Sequence, residues 1–397
     1  MNRHHGTIAV VGAYGHTAAF VIGELRRRNR TPLLVGRDAA KLRSAAQAHP
    51  GARTRVASLV DPPSLDRALS GAAAVINCAG PFADTAPAVL DAALRAGIPY
   101  LDVAAEQAVT LETFERRARQ ARDAGVVVAP SMAFYGGLGD LLACAAMGDW
   151  PDADDITVAI ALDSWQPTRG TRKTVRRNAG RHLVFTGNRL TPPEGPPRTY
   201  SWHFPPPLGV QKVTELSTAD QVTISRHLRV PEIRVCINEA PLRDLSDPAT
   251  PPPTAVDADG RSAQTFLVDV VARRAGALRR ATASGHDIYA VTAPIVVEAA
   301  ARIIDGRVDR IGVAAAGELF DASDFLRALD PAHLTFSAPA HEQTGRTRPG
   351  RSRAPPPGRG GPRADRSGRR GRCGGCGGCG RCGRCGPGRR ATIGGSG

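Results

Sequence analysis

Disulfides, membrane spans and secretion signals all lack support in this sequence of 397 residues. Before the C-terminal segment, cysteine occurs at Cys78, Cys144 and Cys236, an odd and widely spaced set that fits a reducing cytosol better than a disulfide scaffold. No uninterrupted apolar run reaches the roughly 18 to 20 residues that a membrane span needs. Residues 1–6 lack the apolar core of a signal peptide. We therefore expect a cytoplasmic protein with no membrane span.

Two catalytic signatures are also missing. None of the five tyrosines is followed by lysine at the fourth position, so the Tyr-x-x-x-Lys pair of short-chain dehydrogenases is absent. No His, Cys, Asp or Glu cluster in the first 345 residues has metal-ligand spacing, and we predict no metal site there.

Positive charge is concentrated at the C-terminus. The net charge is +15, and residues 346–397 carry +13 of it through fourteen arginines and one acidic residue, Asp365. The rest of the chain is nearly neutral, so we predict no specific nucleic-acid partner. Non-specific binding of nucleic acid by this Arg/Gly segment stays open as an alternative.

Residues 338–397 are mainly Arg, Gly, Pro and Cys, with too few apolar residues to offset the entropy cost of folding, which predicts a disordered tail. Five of its cysteines recur at every third position: Cys373, Cys376, Cys379, Cys382 and Cys385. C-x-x-C pairs can bind zinc, but unbroken triplet repetition is typical of low complexity. The scarcity of lysine, with three in the chain, indicates GC-rich coding DNA, which yields these tail residues when read out of frame. We interpret the tail as a shifted reading frame or an unselected extension, with metal binding as the alternative.

The most informative feature that is present is a strand, a glycine turn and a helix near the start of the chain. The β-branched run Thr7–Val11 leads into Gly12 and Gly15 in a G-x-x-G-x-x-A spacing, and an amphipathic helix pattern follows at once. Glycines let the backbone approach a pyrophosphate, and the helix N-terminus adds positive partial charge. We predict a dinucleotide site here, with a plain structural turn as the alternative. The predicted contact residues are Gly12, Tyr14, Gly15, His16 and Thr17.

Residues 7–130 alternate between strand and helix patterns. The predicted strands are Thr7–Val11, Pro32–Val35, Arg53–Ser58, Ala73–Cys78, Ile98–Val103 and Val126–Ala129. The predicted helices are Thr17–Arg28, Ala39–Ala48, Ser64–Leu69, Thr85–Ala96 and Val109–Ala124. Regular alternation with short links predicts βαβ units and a doubly wound parallel sheet, a Rossmann domain within residues 1–150.

The pattern changes after residue 150 and predicts a second, α+β domain within residues 151–337, whose last helices could return to the first. The predicted strands are Ile156–Leu162, Val210–Leu216, Gln221–Ser225 and Glu232–Asn238. The predicted loops are Thr191–Pro207 and Pro241–Pro253, and the predicted helices are Ala263–Ala275 and Pro294–Ile304.

Arg37 follows the second strand, where sites that prefer NAD place an acidic residue for the ribose 2′-hydroxyl. An arginine suits a 2′-phosphate instead and therefore favours NADP. The alternative is a solvated arginine at a helix start, in which case NAD is also compatible with the site.

The fourth strand ends in Asn77–Phe82, with the sequence NCAGPF. The carboxyl ends of strands border the ligand crevice of a doubly wound sheet, and Gly-Pro breaks the strand sharply. We therefore predict cofactor contacts from four residues: Asn77, Ala79, Gly80 and Pro81. Cys78 is interpreted as a small packed residue, because nothing nearby in the sequence would lower its pKa.

Further polar residues follow the fifth and sixth strands. Asp102 and Glu106 could orient a ribose or substrate, or could cap the next helix. Tyr135 lies in a glycine cluster where the two domains should meet, and Tyr289 and His286 lie in the GHDIY segment. We consider these three as candidate proton donors, against packed tyrosines and a surface histidine as the alternatives.

The motifs resemble those of the saccharopine dehydrogenase-like oxidoreductases, including the bacterial branch of trans-acting enoyl reductases. The matching segments are Gly12–Thr17, Asn77–Phe82, Tyr100–Glu106, Gly170–Thr174, Gly285–Ala293 and Gly317–Asp321. The resemblance spans roughly residues 7–330 and implies an NAD(P)-binding Rossmann domain followed by a substrate domain on a mixed sheet. Members act on very different molecules, so the substrate is not implied.

The sequence thus predicts an NADP-dependent oxidoreductase that transfers a hydride to or from an unidentified small-molecule or lipid-type substrate. The alternative is a non-catalytic NADP-binding sensor or scaffold, because no clear acid–base pair is visible. A homodimer is compatible with the sequence.

Overall fold

Two β-sheets organise the part of the chain that the computed structural model describes, residues 6–178 and 180–339. The strands are β1 (Thr7–Val11), β2 (Thr31–Gly36), β3 (Arg53–Val56), β4 (Ala74–Asn77), β5 (Tyr100–Asp102), β6 (Val127–Ala129), β7 (Asp155–Leu162), β8 (Val184–Thr186), β9 (Arg189–Thr191), β10 (Thr199–His203), β11 (Val210–Glu215), β12 (Ile233–Asn238), β13 (Thr265–Arg274), β14 (Ala277–His286), β15 (Gly312–Val313) and β16 (Thr335–Ser337). The helices are α1 (His16–Arg27), α2 (Ala39–Ala48), α3 (Pro62–Leu69), α4 (Phe82–Ala96), α5 (Gln107–Asp123), α6 (Gly139–Met147), α7 (Arg169–Asn178), α8 (Ala219–Ser225), α9 (Glu239–Ser246), α10 (Thr292–Ile304), α11 (Ala316–Leu319) and α12 (Ala322–Leu329).

The first sheet is parallel and has seven strands in the order β15-β6-β5-β4-β1-β2-β3. The chain winds outward from β1 to β3 on one side and from β4 to β6 on the other. The winding direction therefore reverses between β1 and β4, and ligands of such sheets bind in the crevice at that point. This confirms the predicted doubly wound Rossmann fold.

The burial pattern of β1 shows why this sheet needs helices on both faces. Ile8 and Val10 pack into one hydrophobic core with residues of α1 and α10, whereas Ala9 and Val11 pack into a second core with residues of α3 and α4. Because successive strand residues point to opposite faces, an uninterrupted apolar strand must be covered on both.

The predicted strands and helices of residues 7–130 all form, and their ends agree to within three residues. Strand β15, which extends the sheet beyond β6, was not predicted. It is two residues long, too short to leave a periodic signal in the sequence.

The second sheet is mixed, which confirms the implied second domain. Its main path is β10-β11-β12-β7-β13-β14-β16, with β12 and β7 parallel and the other neighbours antiparallel; β8 and β9 attach beside β12. Helix α10 returns to the first sheet and packs against α1 and β4.

Two predicted elements of the second domain have the wrong type. Gln221–Ser225 belongs to helix α8 and not to a strand, because the side chain of Gln221 accepts a hydrogen bond from the backbone N–H of Thr218 at 2.8 Å and so caps a helix start. Ala263–Ala275 was predicted as a helix but contains β13. Its β-branched residues pair with both β7 and β14, and Ala275 and Gly276 form a tight turn at φ +48° and +81°.

The two predicted loops also contain regular structure. Thr191–Pro207 includes β10, and Pro241–Pro253 begins within α9. The density of prolines in both segments concealed these short elements.

Within residues 6–178 and 180–339, no helix combines the length and the hydrophobicity that crossing a bilayer requires. The predicted disordered tail, 338–397, lies outside the described residues except for residues 338 and 339, and so do its five cysteines.

Candidate active site

A cleft of about 1050 Å³ opens at the carboxyl edge of the first sheet, over the point where the winding reverses. One wall comes from the turns that follow β1, β2, β4 and β5, and the other comes from α7 and residues around Trp165 and Tyr289. Eleven predicted site residues line it: Gly12, Tyr14, Gly15, His16, Thr17, Arg37, Ala79, Gly80, Pro81, Tyr135 and Tyr289. Two more, Asn77 and His286, do not line it.

The turn after β1 requires glycine at its first position. Gly12 has φ +79°, and a Cβ atom there would lie 2.8 Å from both Cα and Cβ of Ala79. The backbone N–H of Gly15 donates to the carbonyl of Gly12 at 2.8 Å, and α1 then begins at His16 without a side-chain cap. The first turn of α1 is therefore presented to the cleft with no side chain competing for its N–H groups, which suits a pyrophosphate.

The turn after β2 forms the other end of this wall. A Cβ atom on Gly36 would lie 2.7 Å from Cε1 of Tyr14, so the absence of a side chain there makes room for the tyrosine ring. Arg37 is exposed at the rim. The carboxylate of the neighbouring Asp38 accepts from the backbone N–H groups of Ala40 and Lys41 and is used as the N-cap of α2. Of the two adjacent charged residues, the arginine faces the cleft.

Asn77 supports the loop after β4 from the protein interior. It is fully buried; its Nδ2 donates to Thr85 Oγ1 and to the hydroxyl of Tyr100, both at 3.3 Å, and its Oδ1 accepts from the N–H of Ala79 at 3.1 Å. All three bonds lie within the protein, so Asn77 orients the loop, and Ala79 and its neighbours Gly80 and Pro81 form the cleft surface.

The two carboxyl groups that follow β5 have different roles. Asp102 is fully buried and accepts from the N–H of Ser131 at 2.8 Å, the N–H of Ala104 at 3.0 Å and the hydroxyl of Tyr100 at 2.9 Å. Burial raises the pKa of the Asp102 carboxyl, and these hydrogen bonds oppose that shift. Asp102 therefore fixes the junction between β5 and β6 rather than facing a ligand.

Glu106 lies in the cleft wall and does not cap its own helix, α5. Its Oε1 accepts from the N–H of Phe82, at the start of α4, at 3.0 Å and from Thr174 Oγ1 of α7 at 3.3 Å. Burial raises the pKa of the Glu106 carboxyl. This side chain joins the two walls of the cleft.

The two candidate tyrosines differ in their hydrogen bonds. The hydroxyl of Tyr289 accepts from Trp165 Nε1 at 3.0 Å and from the N–H of Thr168 at 3.3 Å, and it lies 2.9 Å from Thr171 Oγ1. The hydroxyl of Tyr135 is buried and has no hydrogen-bond partner among the described residues. Burial raises the pKa of Tyr135, so its hydroxyl stays protonated at neutral pH.

The two histidines among the predicted site residues, His16 and His286, lie in different pockets. His16 packs edge-on against Tyr289 with ring centroids 5.2 Å apart, and burial lowers its pKa while Asp287 acts in the opposite sense. His286 is exposed and lines a second, smaller pocket of about 420 Å³ together with Arg261 and His333. The structure therefore does not bring His286 to the cleft.

Sequence reasoning missed several residues of the second wall. Trp165 and Thr168 carried no signal because they lie between elements, although the adjacent segment Gly170–Thr174 is one of those that carry the family resemblance. Asp287, next to the histidine we considered, accepts from the N–H groups of Ser262, Tyr289 and Ala290 and sets the turn that presents Tyr289.

The fold also brings together Asp140, Cys144 and His227, whose ligand-type atoms lie within 4.8 Å of one another. Asp140 Oδ1 is 2.7 Å from His227 Nε2, and Asp140 Oδ2 accepts from the N–H of Gly317 at 2.7 Å. Both carboxylate oxygens are thus already hydrogen-bonded, so we assign this cluster as a buried ion pair beside a cysteine.

The partly buried thiols of Cys78 and Cys144 show no sign of activation. Burial raises the pKa of Cys78 and of Cys144, and nearby carboxylates act in the same direction. Neither thiol is poised as a nucleophile.

Comparison with known proteins agrees with this geometry. Residues 8–129 match the family model of the saccharopine dehydrogenase NADP binding domain. Among solved structures, apo histidine-tagged saccharopine dehydrogenase (L-Glu forming) from Saccharomyces cerevisiae matches with a TM-score of 0.60 at 13% identity, covering 84% of this chain and 100% of that chain. A new type of NADPH-dependent quinone oxidoreductase from Escherichia coli matches at 23% identity over 35% of this chain and 50% of that chain, but with a TM-score of 0.26.

A search of curated proteins finds no match. The yeast enzyme and this chain share a fold. Residues 8–129 therefore match a saccharopine dehydrogenase NADP binding domain, and the chain shares its fold with the yeast saccharopine dehydrogenase.

Proposed function

We propose that this protein is an NADP-dependent oxidoreductase that transfers a hydride to or from a small-molecule or lipid-type substrate in the cleft. The observation that carries the proposal is the position of the cleft. It spans the turns after β1, β2, β4 and β5, and a helix of the second domain covers it. Such a site offers one end to a dinucleotide and leaves the other end for a second molecule.

The glycine turn and Arg37 supply the cofactor contacts in this proposal. Gly12 and Gly15 leave room for the pyrophosphate beside the first turn of α1, with Tyr14, His16 and Thr17 around it. The exposed guanidinium of Arg37 supplies the charge that a 2′-phosphate needs.

The loop after β4 supplies the nicotinamide side. Ala79, Gly80 and Pro81 form the surface there, and Asn77 holds them from behind. The nicotinamide would supply or accept the hydride when bound.

Tyr135 is the proton donor that we propose. It lines the cleft, its hydroxyl has no partner among the described residues, and burial keeps it protonated at neutral pH. Tyr289 is assigned a positioning role because its hydroxyl is already bonded to Trp165 and to α7. The residues of the closed cleft would also orient the substrate and exclude water.

The test is a fluorescence titration of NADPH and NADH against the wild type, Arg37→Ala and Arg43→Ala. Loss of charge-assisted hydrogen bonds to a 2′-phosphate should raise the Kd for NADPH about 10- to 100-fold in Arg37→Ala and leave the Kd for NADH unchanged. Arg43 is an exposed arginine of α2 outside the cleft, so Arg43→Ala serves as the matched control. Failure of both cofactors to bind the wild type at millimolar concentration would contradict the proposal.

A further inference from the structure

Helix α7, the covering helix of the cleft, is strongly cationic. Its sequence, RGTRKTVRRN, contains five basic residues and no acidic one, and none of its residues is buried. It is held to the rest of the protein by side-chain contacts, from Thr171 to Tyr289, from Thr174 to Glu106 and from Arg177 to Asp84.

The basic residues of α7 divide by what they contact. Arg172 donates to the backbone carbonyls of Asp247 and Thr250, and Arg177 pairs with Asp84. Lys173 lines the cleft and makes no ion pair or side-chain hydrogen bond with any described residue. Arg181, which follows the helix, also lines the cleft, and its side chain likewise lacks such a partner within the described ranges.

The anchors beside these two cations place them on the β5 side of the cleft. Lys173 precedes Thr174, which contacts Glu106 just after β5. Arg181 lies two residues before Leu183, whose backbone N–H donates to Oε1 of Gln107 at 2.9 Å and whose carbonyl accepts from Gln107 Nε2 at 3.0 Å, at the start of α5. Arg37 follows β2, on the other side of β1 from β4 and β5. Lys173 and Arg181 therefore belong to the end of the cleft opposite the proposed 2′-phosphate contact.

The cleft also has apolar surface. Phe134, Trp165, Leu245 and the pair Pro252–Pro253 line it, and Val175 of α7 presents an exposed side chain to it. The acidic side chains in the wall do not neutralise the two cations, since Asp84 is paired with Arg177 and Glu106 is hydrogen-bonded to Thr174 and Phe82. An occupant of complementary chemistry has an apolar body and one anionic group.

We propose that the substrate of this cleft is an amphipathic anion, and that Lys173 and Arg181 bind its carboxylate or phosphate group while its apolar part lies against Trp165 and the neighbouring apolar residues. This assignment rests on the proposed oxidoreductase function and names the substrate class for that same site.

The test is calorimetric titration of decanoate, decyl phosphate and 1-decanol into the wild type, with and without saturating NADPH. Both anions should bind saturably, and 1-decanol should bind at least about 10-fold more weakly because it offers no charge for the cations to pair with. The tighter of the two anions identifies the headgroup as carboxylate or phosphate.

Three variants locate the contact. Lys173→Gln and Arg181→Gln should each weaken binding of the better anion about 10-fold and leave binding of 1-decanol unchanged. Arg176→Gln removes the same charge from the same helix at an exposed position outside the cleft, and should change anion binding less than twofold.

Four results would overturn the inference. They are no saturable binding of either anion to the wild type, equal affinity for decanoate and 1-decanol, an equal loss in Arg176→Gln, and a weakened NADPH affinity with intact anion binding in the Lys173 and Arg181 variants. Because anion binding is measured with and without NADPH, a failure of the oxidoreductase proposal is distinguishable from a failure of this one.

Discussion

The two walls of the cleft are built in different ways. The wall that carries the predicted dinucleotide contacts is made of backbone turns at the ends of parallel strands, and buried side chains such as Asn77 and Asp102 hold it. The wall that faces it is helix α7, which buries none of its residues and is attached through single side-chain contacts. The first wall is fixed by the fold, whereas α7 in the second wall can be changed residue by residue without disturbing a core.

This contrast suits the proposed function, in which one wall binds the cofactor and the other wall contacts the substrate. The pyrophosphate is the same in every dinucleotide, so a wall made of backbone N–H groups and glycines can be kept constant. A solvent-facing helix held by Tyr289, Glu106 and Asp84 tolerates other sequences, so it is the natural place for specificity to be set.

The largest effect is expected from Gly12→Val, which attacks the first wall. A β-branched side chain at φ +79° would clash with Ala79, and should abolish saturable NADPH binding and lower the free energy of unfolding by about 1 to 3 kcal/mol. The matched control is Gly23→Ala in α1, where an added Cβ meets no atom within 4 Å. That change should leave NADPH binding intact and raise stability by about 0.5 to 1 kcal/mol. Fluorescence titration measures NADPH binding, and chemical denaturation measures the free energy of unfolding. If Gly12→Val and Gly23→Ala behave alike in both measurements, the turn does not require glycine for cofactor binding.

The next largest effect distinguishes a catalytic role of Tyr135 from a structural one. With a substrate that the enzyme turns over, Tyr135→Phe should reduce kcat about 100-fold or more, because it removes the proposed proton donor. It should leave the free energy of unfolding nearly unchanged, since the hydroxyl has no partner among the described residues. Steady-state kinetics with NADPH and a denaturation curve test both statements. Unchanged kcat would rule out Tyr135 as the donor.

Tyr289→Phe, in contrast to Tyr135→Phe, should lower the stability of the protein. The substitution leaves Trp165 Nε1 and the N–H of Thr168 without their acceptor, which should cost about 1 to 3 kcal/mol of stability and loosen α7. NADPH affinity should change little, because the first wall is untouched. Limited proteolysis within α7 together with an NADPH titration checks this, and an unaltered cleavage rate would show that α7 is not held by Tyr289.

The smallest effect concerns the ion pair between Asp140 and His227. Burial lowers the pKa of His227, but the carboxylate of Asp140 more than compensates, so the pKa is raised above 6.5. A histidine with a raised pKa in the folded state contributes its stabilisation fully below pH 6.5 and loses it as the pH rises through the folded value. The free energy of unfolding should therefore fall as the pH rises from 6.5 through the folded-state pKa of His227. His227→Gln should remove this slope, and an identical slope in the variant would contradict the assignment.

The first wall of the cleft could be predicted from the sequence to a greater extent than the second wall. The strand, glycine turn and helix at Thr7–Thr17 are local, so residue order alone indicated both the structure and its ligand. The Asn77–Phe82 motif was identified correctly as part of the cleft, but its first residue was assigned to the wrong surface. Only three-dimensional packing shows that the amide of Asn77 turns away to meet Thr85 and Tyr100.

The second wall could not be predicted to the same extent because its contacts are long-range. Tyr289 meets Thr171 across 118 positions of the chain, and Thr174 meets Glu106 across 68. The errors in element type have a related cause. The apolar residues of β13 were read as a helical face, and it is pairing with β7 and β14 that makes the segment a strand.

The measurement that tests the account most directly is hydrogen–deuterium exchange with peptide resolution, made on the free protein, with NADPH, and with NADPH plus decanoate. NADPH alone should protect the peptides that contain Gly12–Thr17 and Ala79–Phe82, and addition of decanoate should extend protection to α7. Protection confined to other parts of the chain, or the same α7 protection with NADPH alone, would contradict the division of the cleft into a cofactor wall and a substrate wall.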